Sequence, residues 1–449
     1  MPPNPKASLD STDNIYKQIL SLALPLILAN FVQQIYSLTD VFFLGRYQNS
    51  NALAAAGASI QVSWMVIYLF VGISVGAGIV TAQSYGAKDR ERLHRASHTT
   101  ISASLISGVI ITTIGILITP ALLRLINVPD EVFPEAYTYL RIHYLSMFPF
   151  IIYSMGSAIL RGVGDTKTSM YALTLSLLVK FILVLIFVRF MGKGVTYAAS
   201  TTICAQITAA GVVIMRLLRS KEGIKLYPAK LKIHFPTLKK IVKIGVPTGF
   251  QALAQYLTAI YFHSQVNVFG PNVMAGSVTY TRVEGFLFVP IEGFSMAAST
   301  ITGHYIGAKK PEKVNLVMKK TSFMSVGVAL FFSFLIISFG PWILSLFNPT
   351  NPIAVKVGYL FLLSIIPFYF LYSLTQNFGA VIRGTGEAKA PLIITLIFAC
   401  GIRVLWITLL QDNLNLLCIS NPIAWVLTVI FYLIYYRKGN WLKKHQNTN

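Results

Sequence analysis

The sequence predicts an all-α, polytopic membrane protein with twelve transmembrane helices in two six-helix lobes related by a parallel repeat. Three observations lead to this fold class. Of the 449 residues 55% are hydrophobic and 12% are charged, and the mean hydropathy is +0.64, whereas soluble domains carry about 25% charged residues. Apolar stretches of ~20 residues, long enough to cross a ~30 Å hydrocarbon layer, recur from end to end. Matching residues also recur 222 positions apart. A soluble enzyme, a disulfide-bonded secreted protein and a disordered chain are excluded.

Twelve apolar segments are predicted to span the membrane, at approximately residues 18–44, 52–83, 95–120, 133–160, 168–190, 195–218, 237–268, 274–305, 318–342, 354–382, 390–410 and 417–436. The polar N-terminus lacks the apolar core of a cleavable signal, so we expect the first span to stay in the mature protein. Cys204, Cys400 and Cys418 show neither metal-ligand spacing nor a disulfide pattern, and we expect them to be small core residues. No metal and no cofactor is expected.

The connections between the spans predict the orientation of the chain. Those that follow even-numbered spans, together with both termini, hold 28 Lys and Arg residues, whereas those that follow odd-numbered spans hold five. Because positive charge accumulates on the cytoplasmic side, both termini are predicted to be cytoplasmic. This distribution also accounts for the net charge of +22, so no nucleic-acid partner is expected.

The internal repeat predicts the domain organisation. Pairs at an offset of 222 include Pro25 with Pro247 and the two RGxG[DE]xK turns that begin at Arg161 and Arg383. An even number of spans in each repeat gives both copies one orientation, so their symmetry axis should follow the membrane normal. The predicted lobes are residues 1–218 and 237–449, joined by a basic cytoplasmic linker at 219–236. The two turns are expected to cap helices, and without a nucleotide-binding motif no ATP hydrolysis is expected.

Six segments in order resemble the multidrug and toxic compound extrusion (MATE) family of secondary transporters: TDVFFLGR, AQSYGAKDRERLHRA, LRGVGDTK, GVPTGFQALAQ, VPIEGFSMAASTITGHYIGAKK and VIRGTGEAK. The resemblance covers nearly the whole chain. It implies two lobes around a central cavity, and export of small organic compounds coupled to the entry of sodium or protons. We expect a non-enzymatic, monomeric antiporter of amphipathic, cationic compounds, working by alternating access in a bacterial inner membrane.

Alternatives from other classes stay open. A flippase for lipid-linked oligosaccharides, from the same superfamily, often has fourteen spans and several cavity arginines, so twelve spans and few intramembrane arginines favour drug export. The major facilitator superfamily also has twelve spans in two lobes. However, the loop GAKDRERLHR lacks the second glycine of that family's pattern, and its counterpart GAKKPEKVN has no acid–arginine pair. A channel or a purely structural protein fits the paired lobes less well.

Charged residues inside spans are the first candidates for function, because each costs at least ~2.5–3.5 kcal/mol on insertion scales unless it has a partner or faces water. Asp40 ends a polar run in the first span, and helical spacing places Gln33, Tyr36 or Ser37, and Asp40 on one face. In the resembled family an acid at this position is the ion-coupling carboxylate. The alternative is a buried acid that joins helices by hydrogen bonds. We expect Gln33 and Tyr36 to line the substrate cavity.

The eighth span carries Arg282, Glu284 and Glu292, which are further candidates for the substrate cavity. The two acids are eight residues apart, about 80° round a helix, so both can face the interior. Arg282 and Glu284 are about 200° apart, so they cannot simply pair. The alternative is a structural network with Arg403 as the counter-ion.

The seventh span adds one more cavity candidate, Gln255. One branch of the resembled family has a glutamate at this position and an aspartate where Tyr372 stands. Both acids are absent, which removes the second-lobe sodium site of that branch.

The fifth span predicts the coupling ion. With the motif of the resembled family aligned through Gly194, Lys180 replaces its usual asparagine, Val184 replaces its usual aspartate, and Thr202 keeps its threonine. A mid-span ammonium needs a counter-charge, and Asp40 is the mid-span acid that we place in that lobe. Sodium would lose hard oxygen ligands. We therefore predict proton coupling through Asp40, Lys180 or the pair. The alternative is a rotated helix from which Lys180 snorkels towards an interface.

Overall fold

The computed structural model describes residues 12–47, 50–192, 194–220, 223–347, 349–439 and 441–442. Inside this range, the side chains at 12–14, 37–38, 40–41, 44–45, 50–56, 58, 60–62 and 195 are not described. These residues are helical along most of their length and contain no strand, which confirms the predicted all-α class.

The first half of the chain contains α1 (Thr12–Tyr47), α2 (Ser50–Gly86), α3 (Arg90–Leu125), α4 (Phe133–Gly162), α5 (Thr166–Val184) with a π-helical continuation (Leu185–Phe190), and α6 (Val195–Leu218). The second half contains α7 (Phe235–Asn267), α8 (Pro271–Gly307), α9 (Val314–Ser338), α10 (Gly340–Phe347), α11 (Pro352–Ile365), α12 (Tyr369–Gly384), α13 (Lys389–Ile394), α14 (Ile402–Leu409) and α15 (Leu414–Lys438). A π-helix (Thr395–Gly401) joins α13 to α14, and short 3-10 helices lie at Pro228–Lys230, Pro311–Lys313 and Ile366–Phe368.

Eleven helical stretches of the described chain are long and apolar enough to cross a membrane. One of them, Pro352–Gly384, combines α11 with α12, and another, Lys389–Leu409, combines α13 with α14. The remaining predicted span corresponds to α7, whose 33 residues exceed the ~20 that a bilayer requires. The helices therefore agree with the twelve predicted spans.

The surface of these helices is too apolar for a protein that is surrounded by water. Leu117, Phe190, Phe323 and Phe334 each expose about 70% of their surface, with many other large apolar side chains exposed around them. Contiguous apolar patches beyond a few hundred Å² drive association in water, whereas lipid tails solvate them. This surface belongs to a multi-pass membrane protein.

The chain forms two compact units. The first unit is residues 28–249, and the second unit comprises the residues up to Ile27 together with those from Phe250 onward. In the first unit α4 packs against α2, α3 and α6, with Ile159 and Val213 buried in its core. In the second unit Ile19 of α1 joins a core that includes Phe294 of α8. The boundaries of the two six-helix lobes stay a prediction.

Backbone contact between α2 and α7 occurs at two successive turns of the first unit. A Cβ atom added at Gly72 would lie 2.2 Å from Gly249 Cα, and one added at Gly76 would lie 2.7 Å from Gly245 N. Four-residue spacing places each pair of glycines on one helix face. Only glycine lets these two helices approach so closely.

The connection between α6 and α7 is fixed against the start of α3. Ile224 and Leu226 are buried in the core of the first unit. The backbone N–H of Tyr227 donates to His98 Nε2 at 3.1 Å. The other ring nitrogen, His98 Nδ1, lies 3.0 Å from the carbonyl oxygen of His94. Because a carbonyl only accepts and a backbone N–H only donates, His98 is neutral with its proton on Nδ1.

Candidate functional site

A lysine cluster lies in the interior of the first unit, built by Lys180 of α5, Tyr36 of α1 and Gln206 of α6. Lys180 is 2% exposed. Its Nζ lies 4.0 Å from the centroid of the Tyr36 ring and donates to the Tyr36 carbonyl oxygen at 3.4 Å. Gln206 Nε2 donates to the Tyr36 hydroxyl at 3.4 Å. A desolvated cation over an aromatic face gains about 2 kcal/mol, so the ring stabilises the buried ammonium.

Three buried oxygens lie on α5 and α6, on the helix faces that carry Lys180 and Gln206. Ser176 precedes Lys180 by one turn, and Thr202 precedes Gln206 by one turn, so each pair shares a helix face. In the described structure, Ser176 Oγ, Thr202 Oγ1 and Gln206 Oε1 are buried without a hydrogen-bond partner. A buried polar atom left unpaired costs about 1–3 kcal/mol. These atoms are the groups of the cluster that can accept a further hydrogen bond.

Two predicted residues of the first span lie close to this cluster along α1. Asp40 follows Tyr36 by one turn, but its side chain falls outside the described residues, so its pairing with Lys180 stays a prediction. Gln33 is partly buried. Lys180 is too deeply buried to snorkel towards an interface, so that alternative is wrong. Its side chain instead points into the unit.

A tyrosine-bound carboxylate, Glu284, lies on α8 in the second unit. The hydroxyls of Tyr280 and Tyr369 both donate to Glu284 Oε1. Arg403 is close enough to Glu284 for an electrostatic interaction, and its guanidinium carbon lies 4.9 Å from the centroid of the Phe262 ring. The two hydroxyl donors and the arginine supply Glu284 with hydrogen-bonding and electrostatic partners in the interior of the unit.

Two turns further along α8 lies a second partly buried acid, Glu292. It interacts with the hydroxyl of Tyr372 and electrostatically with Arg383. Arg383 is 8% exposed, and its Nη1 donates to Gln251 Oε1 at 3.0 Å. Gln251 Nε2 in turn donates to Thr395 Oγ1 at 2.9 Å. Glu292 is therefore tied through Arg383 to α7 and to the π-helix that follows α13.

A small cavity of about 20 Å³ adjoins this network. Its walls include Gln255, a predicted cavity residue, together with Gln251, Tyr372, Gln376 and Thr395. These are mainly hydrogen-bonding side chains, and polar voids of this kind hold ordered water. The cavity belongs to the second unit.

The remaining candidate of the eighth span, Arg282, is exposed, whereas Glu284 and Glu292 are partly buried. This difference follows from helix geometry, since ~200° separates Arg282 from Glu284. Whether these residues contact a substrate stays a prediction. In the described part of the chain, His, Cys, Asp and Glu form no group of three or more that could hold a metal ion.

The two RGxG[DE]xK turns were expected to cap helices. The first turn does so, and the second contains an interior arginine that sequence reasoning missed. In the first turn Asp165 caps α5 by accepting from the backbone N–H of Thr168 at 3.2 Å, as expected of a capping turn. Asp165 Oδ2 also pairs with Arg216 Nε at 2.8 Å. In the second turn the side chain of Arg383 points into the interior of the unit and does not cap a helix. The sequence signal that could have identified Arg383 was that Arg161 and Arg383 occupy the same position in the two repeats.

Sequence reasoning also missed Gln206. Its signal was an amide four residues after Thr202, on the same face of a helix that is otherwise made mainly of small and apolar residues.

Comparison with known proteins shows the family. The MatE family profile matches residues 25–186 and 247–407, so its two matched segments begin 222 residues apart, at the period of the internal repeat. A protein of Bacillus subtilis (strain 168) named probable multidrug resistance protein YoeA is 26% identical over 445 residues, which cover 97% of this chain and 96% of that protein. The probable multidrug resistance protein NorM of Thermotoga maritima is 26% identical over 443 residues, covering 97% and 95%.

A solved structure has the same fold. It is described as the outward-facing conformation of a multidrug resistance MATE family transporter of the MOP superfamily, and it aligns with a TM-score of 0.90 at 23% identity. The alignment covers 97% of both chains. The likeness therefore extends over both halves of this protein.

Proposed function

This chain belongs to the MatE family, and from that premise we propose that it is a multidrug exporter that moves amphipathic, cationic organic compounds out of a bacterial cell in exchange for protons. The names of its relatives support drug export and do not favour a lipid flippase. The orientation with both termini in the cytoplasm of an inner-membrane protein rests on the distribution of Lys and Arg. We also propose that the working unit is a monomer.

The buried ammonium of Lys180 is the observation that supports a proton rather than sodium. An ammonium already occupies the polar interior of the first unit, 4.0 Å from the Tyr36 ring centroid. A sodium ion at ~4 Å from it would meet a repulsion of about 4 kcal/mol at an effective dielectric constant of 20. That is a penalty of roughly a thousandfold in binding, because each 1.4 kcal/mol is a factor of ten.

Proton exchange needs a group that can change its charge during the cycle. In our proposal Asp40 and Lys180 share this role, with Thr202 beside them as a hydrogen-bonding hydroxyl. In this proposal the two titratable groups take up and release the proton as a pair. Gln33, Gln255, Arg282, Glu284 and Glu292 are the proposed contacts to the substrate.

Transport by the purified full-length protein in proteoliposomes tests the coupling ion. Sodium and proton gradients are imposed separately, and uptake or release of a fluorescent organic cation is followed. We expect the proton gradient to drive transport and a sodium gradient at equal pH on both sides to have no effect. Transport driven by sodium alone would contradict the proposal. Protein-free liposomes, together with an ionophore that collapses the proton gradient, serve as controls.

A further inference from the structure

We propose that Tyr36 and Gln206 are positioning residues for Lys180: the Tyr36 ring and carbonyl hold the ammonium, and Gln206 fixes the ring. The inference rests on the proposed proton coupling, and it adds the groups that hold and orient the Lys180 ammonium. It also gives Tyr36 a role different from that of a cavity wall.

The contacts of Lys180 show how the ammonium is held. One N–H is directed to the Tyr36 carbonyl oxygen at 3.4 Å, and the charge lies over the ring of the same residue at 4.0 Å. Because Lys180 is 2% exposed and Tyr36 is 6% exposed, bulk water is excluded around both. In such surroundings the attraction between cation and ring is largest, so the ring can hold the ammonium in place.

Gln206 fixes the other end of the tyrosine. Its Nε2 donates to the Tyr36 hydroxyl at 3.4 Å, and Gln206 is itself 6% exposed. The Tyr36 side chain is therefore anchored by its backbone on α1 and by its hydroxyl to α6. This anchoring keeps the ring face turned towards α5, where Lys180 lies.

The contact between Lys180 and Tyr36 determines which cation can stack on the tyrosine ring. An aromatic face in a drug exporter is a potential platform for a cationic substrate. Here the chain's own ammonium already lies on one face of Tyr36, and the residue is only 6% exposed, so a substrate cation has no access to this ring in the described structure. Tyr36 thus acts on the coupling group and not directly on the substrate.

The first test varies the ring electrostatics without changing its size. Phenylalanine and its mono-, di- and trifluorinated forms are introduced at position 36 of the full-length protein, and proton-driven transport is measured between pH 5 and 9. Each fluorine withdraws negative charge from the ring face, so the protonated amine loses stabilisation stepwise. We expect the alkaline limb of the pH profile to move to lower pH with each fluorine, by about one pH unit over the series. A ring that only fills space would give the same profile throughout.

The second test addresses the hydrogen bond to Gln206. Tyr36→Phe and Gln206→Leu each remove one partner of the same bond, so each should move the alkaline limb in the same direction by a similar amount. The double variant should shift no further than either single variant. Tyr171→Phe, at a tyrosine of α5 that is 60% exposed, is the matched control and should leave the profile unchanged.

The outcomes separate this inference from the proposed function. If proton-driven transport occurs but the fluorinated series leaves the pH profile unmoved, the positioning role is wrong and proton coupling stands. Additive shifts of the two single variants would likewise contradict the role of Gln206. If the unmodified protein shows no proton-driven transport, the proposed function itself fails. The fluorinated series is nearly isosteric, so it remains decisive even where Gln206→Leu does not fold.

Discussion

Replacement of Arg383 by methionine should destabilise the protein, because the charge of Glu292 would lose its positive partner. Arg383 is 8% exposed, donates to Gln251 at 3.0 Å and interacts electrostatically with Glu292. Removal of one partner of a buried charge pair costs about 3–5 kcal/mol, because the other charge stays buried and uncompensated. Glu292 is partly exposed, so we expect the lower limit of about 3 kcal/mol, or roughly a hundredfold in the unfolding equilibrium.

Thermal unfolding in detergent, followed by the loss of monodisperse protein, measures the effect. The decisive variant is Arg383→Met combined with Glu292→Gln, which removes both charges while the amide can still bond to Tyr372. This double variant should recover most of the lost stability. Arg437→Met, at an exposed arginine in the last turn of α15, should change stability by less than about 0.5 kcal/mol. If the double variant is as unstable as Arg383→Met, Glu292 is not the charge that Arg383 compensates.

Three further predictions follow from the same structure. Asp40→Asn should abolish proton-driven transport in proteoliposomes while expression stays near normal, because only the titratable charge is removed; full activity would make this acid structural. Gly72→Ala should lower the apparent unfolding temperature strongly, because its Cβ would lie 2.2 Å from backbone atoms of α7, whereas Gly211→Ala, with no atom within 4 Å, should not. A cysteine at Asn351 should react with an impermeant thiol reagent from outside the cell, and one at Glu312 should not; labelling at Glu312 would overturn the orientation.

Features that depend on one helix alone were predictable from the sequence. The eight-residue spacing of Glu284 and Glu292 turned both acids inward, and the two-residue spacing of Arg282 and Glu284 turned the arginine to the surface. Each outcome follows from 3.6 residues per turn, which holds along α8 from end to end. The capping role of Asp165 was predictable for the same reason, because a cap involves residues within one turn.

Features that join distant helices were not predictable from local spacing. The contacts of Tyr36 with Lys180 and with Gln206 connect residues 144 and 170 positions apart, and no pattern within one segment records them. The interior position of the Arg383 guanidinium was not predictable, because its long side chain turns back from the end of α12 into the interior. Arg403 is an exception, because its charge alone made it the candidate counter-ion of a structural network, and it does interact electrostatically with Glu284.

The two units differ in the kind of positive charge that they bury, and in the proposed mechanism this difference predicts where a proton would act. In the second unit Glu284 and Glu292 each interact with an arginine, Arg403 and Arg383. An arginine stays charged at every physiological pH, so a proton added to either acid would leave a buried guanidinium without compensation. The first unit instead buries Lys180, and a lysine can lose its proton when it is desolvated. The pH dependence of transport should therefore originate in the first unit, and not in Glu284 and Glu292, which are proposed contacts to the substrate.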